Sequence, residues 1–493
     1  MKRTVCILLA LALLLCGCSG PGATEEPQAE ADHNEAVVFP KSEALVGDTM
    51  PFFEDGKMNI FYLADQRDGK LGYHPWGLLR TEDYWYYEDL GIVLPYGEDA
   101  TDQDIALGTG CVIKDKQGTY HAYFTGHNDF YEPKEAVMHA TSEDMLHWTK
   151  HPEDTFTAPE AYSANDFRDP YVFYVESEQR YWMLVVTRTV ETGVIVKYSS
   201  TDLCKWKDEG IFFSDDMGYA TNMECPSLLE FGGKWYLCFS DQWPDRVVHY
   251  RIGESVNGPF RKPEQDTVDS NGFYAGRLET DGERLYLVGW NGTKIGHDDA
   301  NDYDWGGNAV IHQLAQRDDG TLRPVVNEKI LAGMNHRTEP VPLRITDTVK
   351  IGNGAYTMAG DLYELVRFEA LEQTSRIEAD ISGFDGDGQF GFGFAPDLEN
   401  VGTLSYVFSP GENLVKFCNT ENVVEDDPQS WMEFDFSNQE TLHVTILIGD
   451  GVATLYLNDE LALTARMYRA QGTDWELFGI NSGVTWKNVA VYD

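Results

Sequence analysis

The chain has 493 residues, with 37 Lys and Arg against 82 Asp and Glu, a formal net charge of −45. That charge excludes a nucleic-acid binder as the default and disfavours electrostatic docking on anionic lipid, whereas a neutral substrate is compatible with it. At 42% hydrophobic and 13% aromatic residues the chain is too apolar for an acidic disordered polymer, and its length predicts two domains.

Lys2 and Arg3 precede an apolar run from Val5 to Leu15. It is too short to span a bilayer and reads as a secretory signal over residues 1–18. The run closes on Leu15-Cys16-Gly17-Cys18-Ser19, which resembles a bacterial lipoprotein signal; ordinary cleavage nearby is the alternative. Under the first reading Cys18 is lipidated and anchors the chain to the membrane at the bacterial cell surface or envelope. Residues 19–40, rich in Pro, Ala and Glu, read as a flexible linker. Beyond the signal stand Cys111, Cys204, Cys225, Cys238 and Cys418, an odd and scattered set with no CxxC pair. The expectation is small buried hydrophobes, with neither a disulfide framework nor a zinc site.

Between residues 40 and 335 short runs rich in Tyr, Val, Ile and Phe alternate with Gly, Asp and Asn, a strand signature. A repeat is visible there. Thr81-Glu82-Asp83, Ser142-Glu143-Asp144 and Ser200-Thr201-Asp202 each pair a hydroxyl residue with an Asp two positions on, and an aromatic follows. Each copy comes after a turn and an aromatic strand: Asn59–Leu63, Tyr120–Phe124 and Arg180–Leu184. Weaker copies follow at Lys234–Leu237 and Glu283–Leu287. Five units of about four strands predict a five-bladed β-propeller over residues 41–338, the Ser-x-Asp pieces being structural turns. From about residue 340 the repeat stops. The hairpin Leu442–Ile448, Gly449-Asp450-Gly451, Val452–Leu457, with Arg376–Ile381 and Phe390–Phe394, predicts a β-sandwich over residues 339–493. The fold class is therefore all-β.

In a propeller the first strand of each blade lines the central channel, so a pocket is sought at the entrance of those strands. Three units begin with an acid just ahead of a proline: Asp48-Thr49-Met50-Pro51, Arg168-Asp169-Pro170 and Glu224-Cys225-Pro226. Proline suits a strand start, so the three acids are expected at equivalent places, converging on one axis. Converging carboxylates in a neutral-substrate pocket suit glycosidic cleavage, which needs an acid at the leaving oxygen and a carboxylate at the anomeric centre.

Several ordered segments resemble glycoside hydrolase family 32, the β-fructosidases (invertases, levanases and inulinases). They are Asn165-Asp166-Phe167-Arg168-Asp169-Pro170, Met223-Glu224-Cys225-Pro226, His74-Pro75-Trp76-Gly77, Ala106–Gly110, Tyr123–Asn128, Phe273-Tyr274-Ala275, Val288-Gly289-Trp290 and Trp305-Gly306-Gly307. The resemblance covers roughly residues 41–335. It implies a retaining double displacement on sucrose or a fructan of the levan or inulin type. Asp48 would be the nucleophile, Glu224 the acid and base, and Asp169 the holder of ring hydroxyls, with Arg168 balancing Asp169. The family's nucleophile segment Trp-Met-Asn-Asp-Pro-Asn-Gly is replaced here by Val46-Gly47-Asp48-Thr49-Met50-Pro51-Phe52, and its Phe-Tyr-Gln strand by Phe61-Tyr62-Leu63.

Trp76, Trp290 and Trp305 are candidate sugar platforms or buried structural residues, and Asp166 a supporting acid or a turn cap. The acidic stretch Asp298–Asp304 and the segment Asp385-Gly386-Asp387-Gly388 lack calcium-loop spacing and read as solvated loops. No metal or cofactor is implied. The partners expected are an oligo- or polysaccharide and, through Cys18, a membrane. Two alternatives stay open: an inverting propeller glycosidase on pentofuranosides such as arabinan, and a non-catalytic glycan-binding lipoprotein.

Overall fold

Strands form nearly all the regular structure of the computed structural model, which describes residues 37–66, 74–217, 220–242, 246–371, 374–384, 386, 388–396, 403–420 and 428–493. Cys18, the signal and most of the linker lie outside the described residues, as do Asp385 and Asp387. Residues from Ala36 to Asp493 form one compact unit.

Three four-stranded antiparallel meanders start at Ala106–Lys114, Phe167–Val175 and Met223–Phe231. A fourth, eight-stranded sheet joins the strands from Leu45–Glu54 onward to those from Tyr274–Thr280 onward, through Val46 paired with Gly307. The chain's late strands thus close onto its early ones. The leading strands Leu45–Glu54, Ala106–Lys114, Phe167–Val175, Met223–Phe231 and Tyr274–Thr280 touch in that order, and the last touches the first. This is a β-propeller, its sheets radiating from a ring of inner strands.

The Ser-x-Asp repeats are turns between third and fourth strands. In each, the Asp carboxylate accepts two backbone N–H groups: Trp85 and Tyr86 on Asp83, Leu146 and His147 on Asp144, Cys204 and Lys205 on Asp202. Between them a non-glycine residue takes positive φ (Tyr84 61°, Met145 65°, Leu203 62°), and the hydroxyl of Thr81, Ser142 or Ser200 accepts its N–H. The repeat records an Asx turn reused three times.

From residue 337 the chain builds two stacked sheets, of eight and seven strands. Phe390, Phe392 and Phe394 of one meet Ile377, Ile381, Leu442 and Ile446 of the other in a buried core, which makes a β-sandwich. Its hairpin Thr441–Gly449/Val452–Leu457 turns through Asp450 and Gly451, both at positive φ (47° and 71°), the geometry a two-residue hairpin loop requires.

Sandwich and propeller meet through buried polar groups. Arg466 donates to the carbonyls of Asn291 (2.8 Å) and Gly292 (2.9 Å), and Asp269 accepts from Thr464 and His312. The solvated-loop reading of Asp298–Asp304 is corrected at Asp299. It is 3% exposed and accepts from the Tyr468 N–H (2.8 Å) and Arg469 (2.9 Å), so it ties the propeller to the sandwich. Four of the five cysteines are buried, and Cys204 is exposed.

Candidate active site

Each inner strand carries a β-bulge near its start, where two residues oppose one. The bulged pairs are Asp48-Thr49, Gly108-Thr109, Asp169-Pro170, Cys225-Pro226 and Ala275-Gly276. In four of them the first residue has positive φ: Asp48 28°, Asp169 56°, Cys225 52° and Ala275 50°. Bulges re-aim side chains, and here they turn the strand entrances toward the ring's centre.

The expected equivalence of the three acids needs correction. Asp48 and Asp169 occupy the same bulge position. Glu224 stands one residue earlier, in the paired position that Arg168 and Tyr274 hold on their own strands. Pro170 and Pro226 are equivalent, but Thr49 takes that place on the first strand and Pro51 lies beyond the bulge. The acids meet nonetheless. Asp48 and Asp169 stand at the same bulge position on either side of the Ala106–Lys114 strand, and a one-residue offset at Glu224 brings a longer side chain in from the strand next to that of Asp169.

Thr109 donates its hydroxyl to Asp48 Oδ2 (2.8 Å), and the Trp290 indole N–H donates to Asp48 Oδ1 (3.2 Å). Asp169 Oδ2 accepts the Cys225 N–H (2.8 Å), while the Asp169 N–H donates to Thr125 Oγ1 (3.0 Å) and Thr125 donates to the Thr109 carbonyl (3.1 Å). Glu224 takes Arg168 Nη1 on Oε1 (3.3 Å) and the Tyr274 hydroxyl on Oε2 (2.8 Å). Arg168 is itself held by Glu135 (3.1 Å) and Asp166 (2.5 Å). Thr109 and Thr125 thus link Asp48 to Asp169, and Glu224 joins them through the backbone, Arg168 preceding Asp169 and Cys225 following Glu224.

Burial pushes the Glu224 carboxyl up to about 7, and the negative charge of Asp169 adds to it; Arg168 and the Tyr274 hydrogen bond oppose the rise. Asp169, 4% exposed, is raised by burial against the pull of Arg277 and Arg168. Arg277 is buried at the ring's centre and donates to the Gly110 carbonyl. Burial thus favours the protonated form of both carboxyls, and for Glu224 that is the state a general acid needs.

The other candidates divide. Asp166 accepts from Arg168, from Asn222 (3.2 Å) and from Ser163 (3.0 Å), so it orients Arg168 while closing its own turn. Of the two readings of Trp76, sugar platform or buried structural residue, the structure fits the second: it is fully buried, its indole donates to the Gly108 carbonyl (3.0 Å), and its ring packs on Phe61 and Phe124. Trp290 is also buried, at 1% exposure, which leaves its N–H as the working group. Trp305 is half-buried, stacks on His74 (4.2 Å, 15°) and fills the space over Gly47, where an added Cβ would lie 2.3 Å from its ring. Sequence reasoning missed Thr109, Thr125, Glu135, Arg277 and the Tyr274 hydroxyl. The sequence signal for Tyr274 was its place at a strand entrance, the place Arg168 and Glu224 also hold.

The sequence model of the glycosyl hydrolases family 32 N-terminal domain matches residues 46–323. The chain belongs to glycoside hydrolase family 32. Among curated relatives of this family 32 chain, the sucrose-6-phosphate hydrolase of Escherichia coli is 29% identical over 199 residues, 39% of this chain and 40% of that protein. The levanbiose-producing levanase of Bacillus subtilis (strain 168) is 25% identical over 361 residues, 69% of this chain and 61% of that one. The matches thus span less than two thirds of those relatives' lengths. The exo-inulinase from Aspergillus awamori superposes with a TM-score of 0.71 at 15% identity, covering 94% of this chain and 99% of that one. The sucrose-6-phosphate hydrolase from Lactobacillus gasseri gives 0.69 at 17% identity, covering 93% and 94%. These likenesses place the family 32 chain in the propeller-plus-sandwich fold.

Proposed function

We propose that this protein is a retaining glycoside hydrolase releasing fructose from sucrose or from fructans of the levan and inulin type. One observation carries the reading: Thr109 and Thr125 link Asp48 to Asp169, Asp169 accepts the N–H of Cys225 next to Glu224, and burial raises the Glu224 carboxyl to about 7. Asp48, oriented by Thr109 and Trp290, attacks the anomeric carbon while Glu224 gives its proton to the departing oxygen. The bond to the leaving group breaks and a fructosyl ester on Asp48 forms. Glu224, now a carboxylate, takes a proton from water, whose oxygen attacks the same carbon and releases Asp48. Asp169 accepts hydrogen bonds from ring hydroxyls, and Arg168 keeps Glu224 and Asp166 in place.

The kinship with a sucrose-6-phosphate hydrolase of E. coli and a levanase of B. subtilis supports a fructosyl substrate. The altered flank at Gly47, roofed by Trp305, bears on which sugar fits. The same reading includes five blades, the eight-stranded sheet counting as two. It also includes attachment to the bacterial envelope through a lipid on Cys18.

The test is incubation of the purified protein with sucrose, inulin, levan and arabinan, reading released monosaccharide, with Glu224→Gln as control. Fructose release lost in the control is expected. Arabinose release would favour the pentofuranosidase, and glycan binding without turnover in the parent would favour a binding lipoprotein.

A further inference from the structure

In the reaction proposed above, the leaving group departs past Glu224, so the rim on that side governs how much of a longer substrate is held. Two loops stand there. Residues 128–134 join the second and third strands of the sheet that starts at Ala106–Lys114, and residues 189–192 do the same in the sheet that starts at Phe167–Val175. The first loop is tied to the lead-in of the second inner strand, Asn128 donating to the carbonyls of Ala100 (3.1 Å) and Asp102 (2.7 Å). It is also tied to the lead-in of the third: the Lys134 N–H donates to Asn165 Oδ1 (3.0 Å), and Asn165 Nδ2 donates to Glu132 (3.0 Å). Asn165 adjoins Asp166, which grips Arg168, the partner of Glu224. The second loop hangs from the same lead-in, through the Ser163 N–H on the Arg188 carbonyl (2.9 Å). Arg188 Nη1 in turn donates to Asn222 (3.1 Å), two residues before Glu224.

These pinned loops present apolar tips to solvent. Phe130 is 75% exposed, Tyr131 37% and Val190 105%, on either side of the segment leading to Arg168 and Asp169. Tyr131 is anchored by its hydroxyl on the Thr101 carbonyl, whereas the exposed area of Phe130 and Val190 gains nothing for folding, since it does not leave water. The charges beside them, at Asp129, Glu132, Glu160 and Glu191, repel anions but not an uncharged polyol. An aromatic face on a fixed loop suits the C–H face of a sugar ring.

We infer that Phe130, Tyr131 and Val190 form a rim that binds a neutral oligosaccharide chain, holding the part of a polymeric fructan that lies beyond the scissile bond. The inference deepens the fructosidase reading for the bond that is cut, while binding at the rim does not require turnover. It makes the polymer, rather than the disaccharide, the substrate this chain is shaped for.

The test uses Phe130→Ala and Phe130→Ala/Val190→Ser in the otherwise intact protein. Both sites are exposed, and thermal melting checks that each variant stays folded. Affinity electrophoresis in gels containing inulin or levan should retard the parent, and the double variant should need about five- to tenfold more polymer for equal retardation. The kcat/KM on that polymer should fall by a similar factor, with sucrose hydrolysis unchanged within about twofold. Unchanged retardation, or equal losses on sucrose and polymer, would overturn the rim. So would a parent that neither polymer retards, or a concentration-dependent dimer lost in the variant, which would assign the patch to a second copy. Retardation that depends on Phe130 in a parent releasing no fructose would uphold the rim and overturn the proposed hydrolase alone.

Discussion

Tyr274 and Trp290 face each other as a cross-strand pair, rings 6.2 Å apart at 81°, and each donates to a different acid: Tyr274 to Glu224 and Trp290 to Asp48. One rung of the ladder therefore sets the positions of both groups that would work on the anomeric carbon. The Arg246 guanidinium lies 4.6 Å from the Tyr274 ring centre, which fixes the phenol further.

Removing the Tyr274 hydroxyl leaves Glu224 Oε2 without that donor. A hydrogen bond to the charged form favours it, so Tyr274→Phe raises the Glu224 pKa and moves the alkaline limb of the pH–rate profile upward. The kcat is expected to fall about tenfold from lost orientation, with KM little changed. A profile of kcat against pH on sucrose checks both; an unshifted limb would remove Tyr274 from the account.

Glu224 itself couples activity to stability. Its folded pKa of about 7 lies above the ordinary 4.5, so between those values the folded chain keeps a proton the unfolded chain has lost. Stability therefore falls as pH rises through that window, and so does the fraction able to act as acid. Glu224→Gln should lower kcat by roughly 10²–10⁴-fold, and its melting temperature should rise relative to the parent's as pH goes from 5 to 8. Calorimetry across that range, beside the rate measurement, checks the pair.

Gly47 precedes Asp48 where any side chain would strike Trp305, the ring atoms lying 2.3 Å from an added Cβ. Gly47→Ala should cost about 1–3 kcal/mol of stability by overpacking, and should lower kcat/KM by displacing the Trp305–His74 stack beside the nucleophile. Tryptophan fluorescence with denaturant titration checks the first effect. Unchanged stability would show that Trp305 moves aside freely.

Away from the site, His121 Nδ1 and His139 Nε2 lie 2.9 Å apart in the sheet that starts at Ala106–Lys114, and His139 Nδ1 meets Asp154 (2.7 Å). Burial holds His139 down to about 4 despite Asp154, and lowers His121 as well. The unfolded chain thus binds more protons as pH drops from 6.5 to about 4. Stability should fall over that window by about 1 kcal/mol per pH unit for each group titrating. Because Glu224 acts in the opposite sense over part of this range, the check is the difference between the two proteins: His139→Phe should gain melting temperature relative to the parent as pH drops from 6.5 to about 4.

Much of this was legible from residue order. Asp83, Asp144 and Asp202 marked the repeat because an Asx turn needs that side chain at that spacing. Asp450-Gly451 marked the hairpin because both positions need positive φ. The bulge was not legible: positive φ at Asp48, Asp169 and Cys225 follows from strand register, which periodicity does not carry. Hence Pro51 passed for an equivalent of Pro170, and Glu224 for an equivalent of Asp169. Trp76 and Trp290 look alike in composition, yet one fills the core and the other reaches an acid, a difference set by neighbours far along the chain. Asp299 reads as solvent-exposed until Tyr468 and Arg469 are brought to it from the sandwich.

The most direct test is the configuration of the first fructose set free from sucrose, read by carbon NMR before mutarotation. Two displacements at one carbon, through Asp48 and then water, leave the β anomer first. Initial appearance of the α anomer would mean that water attacks in a single step, and the role given to Asp48 would be wrong.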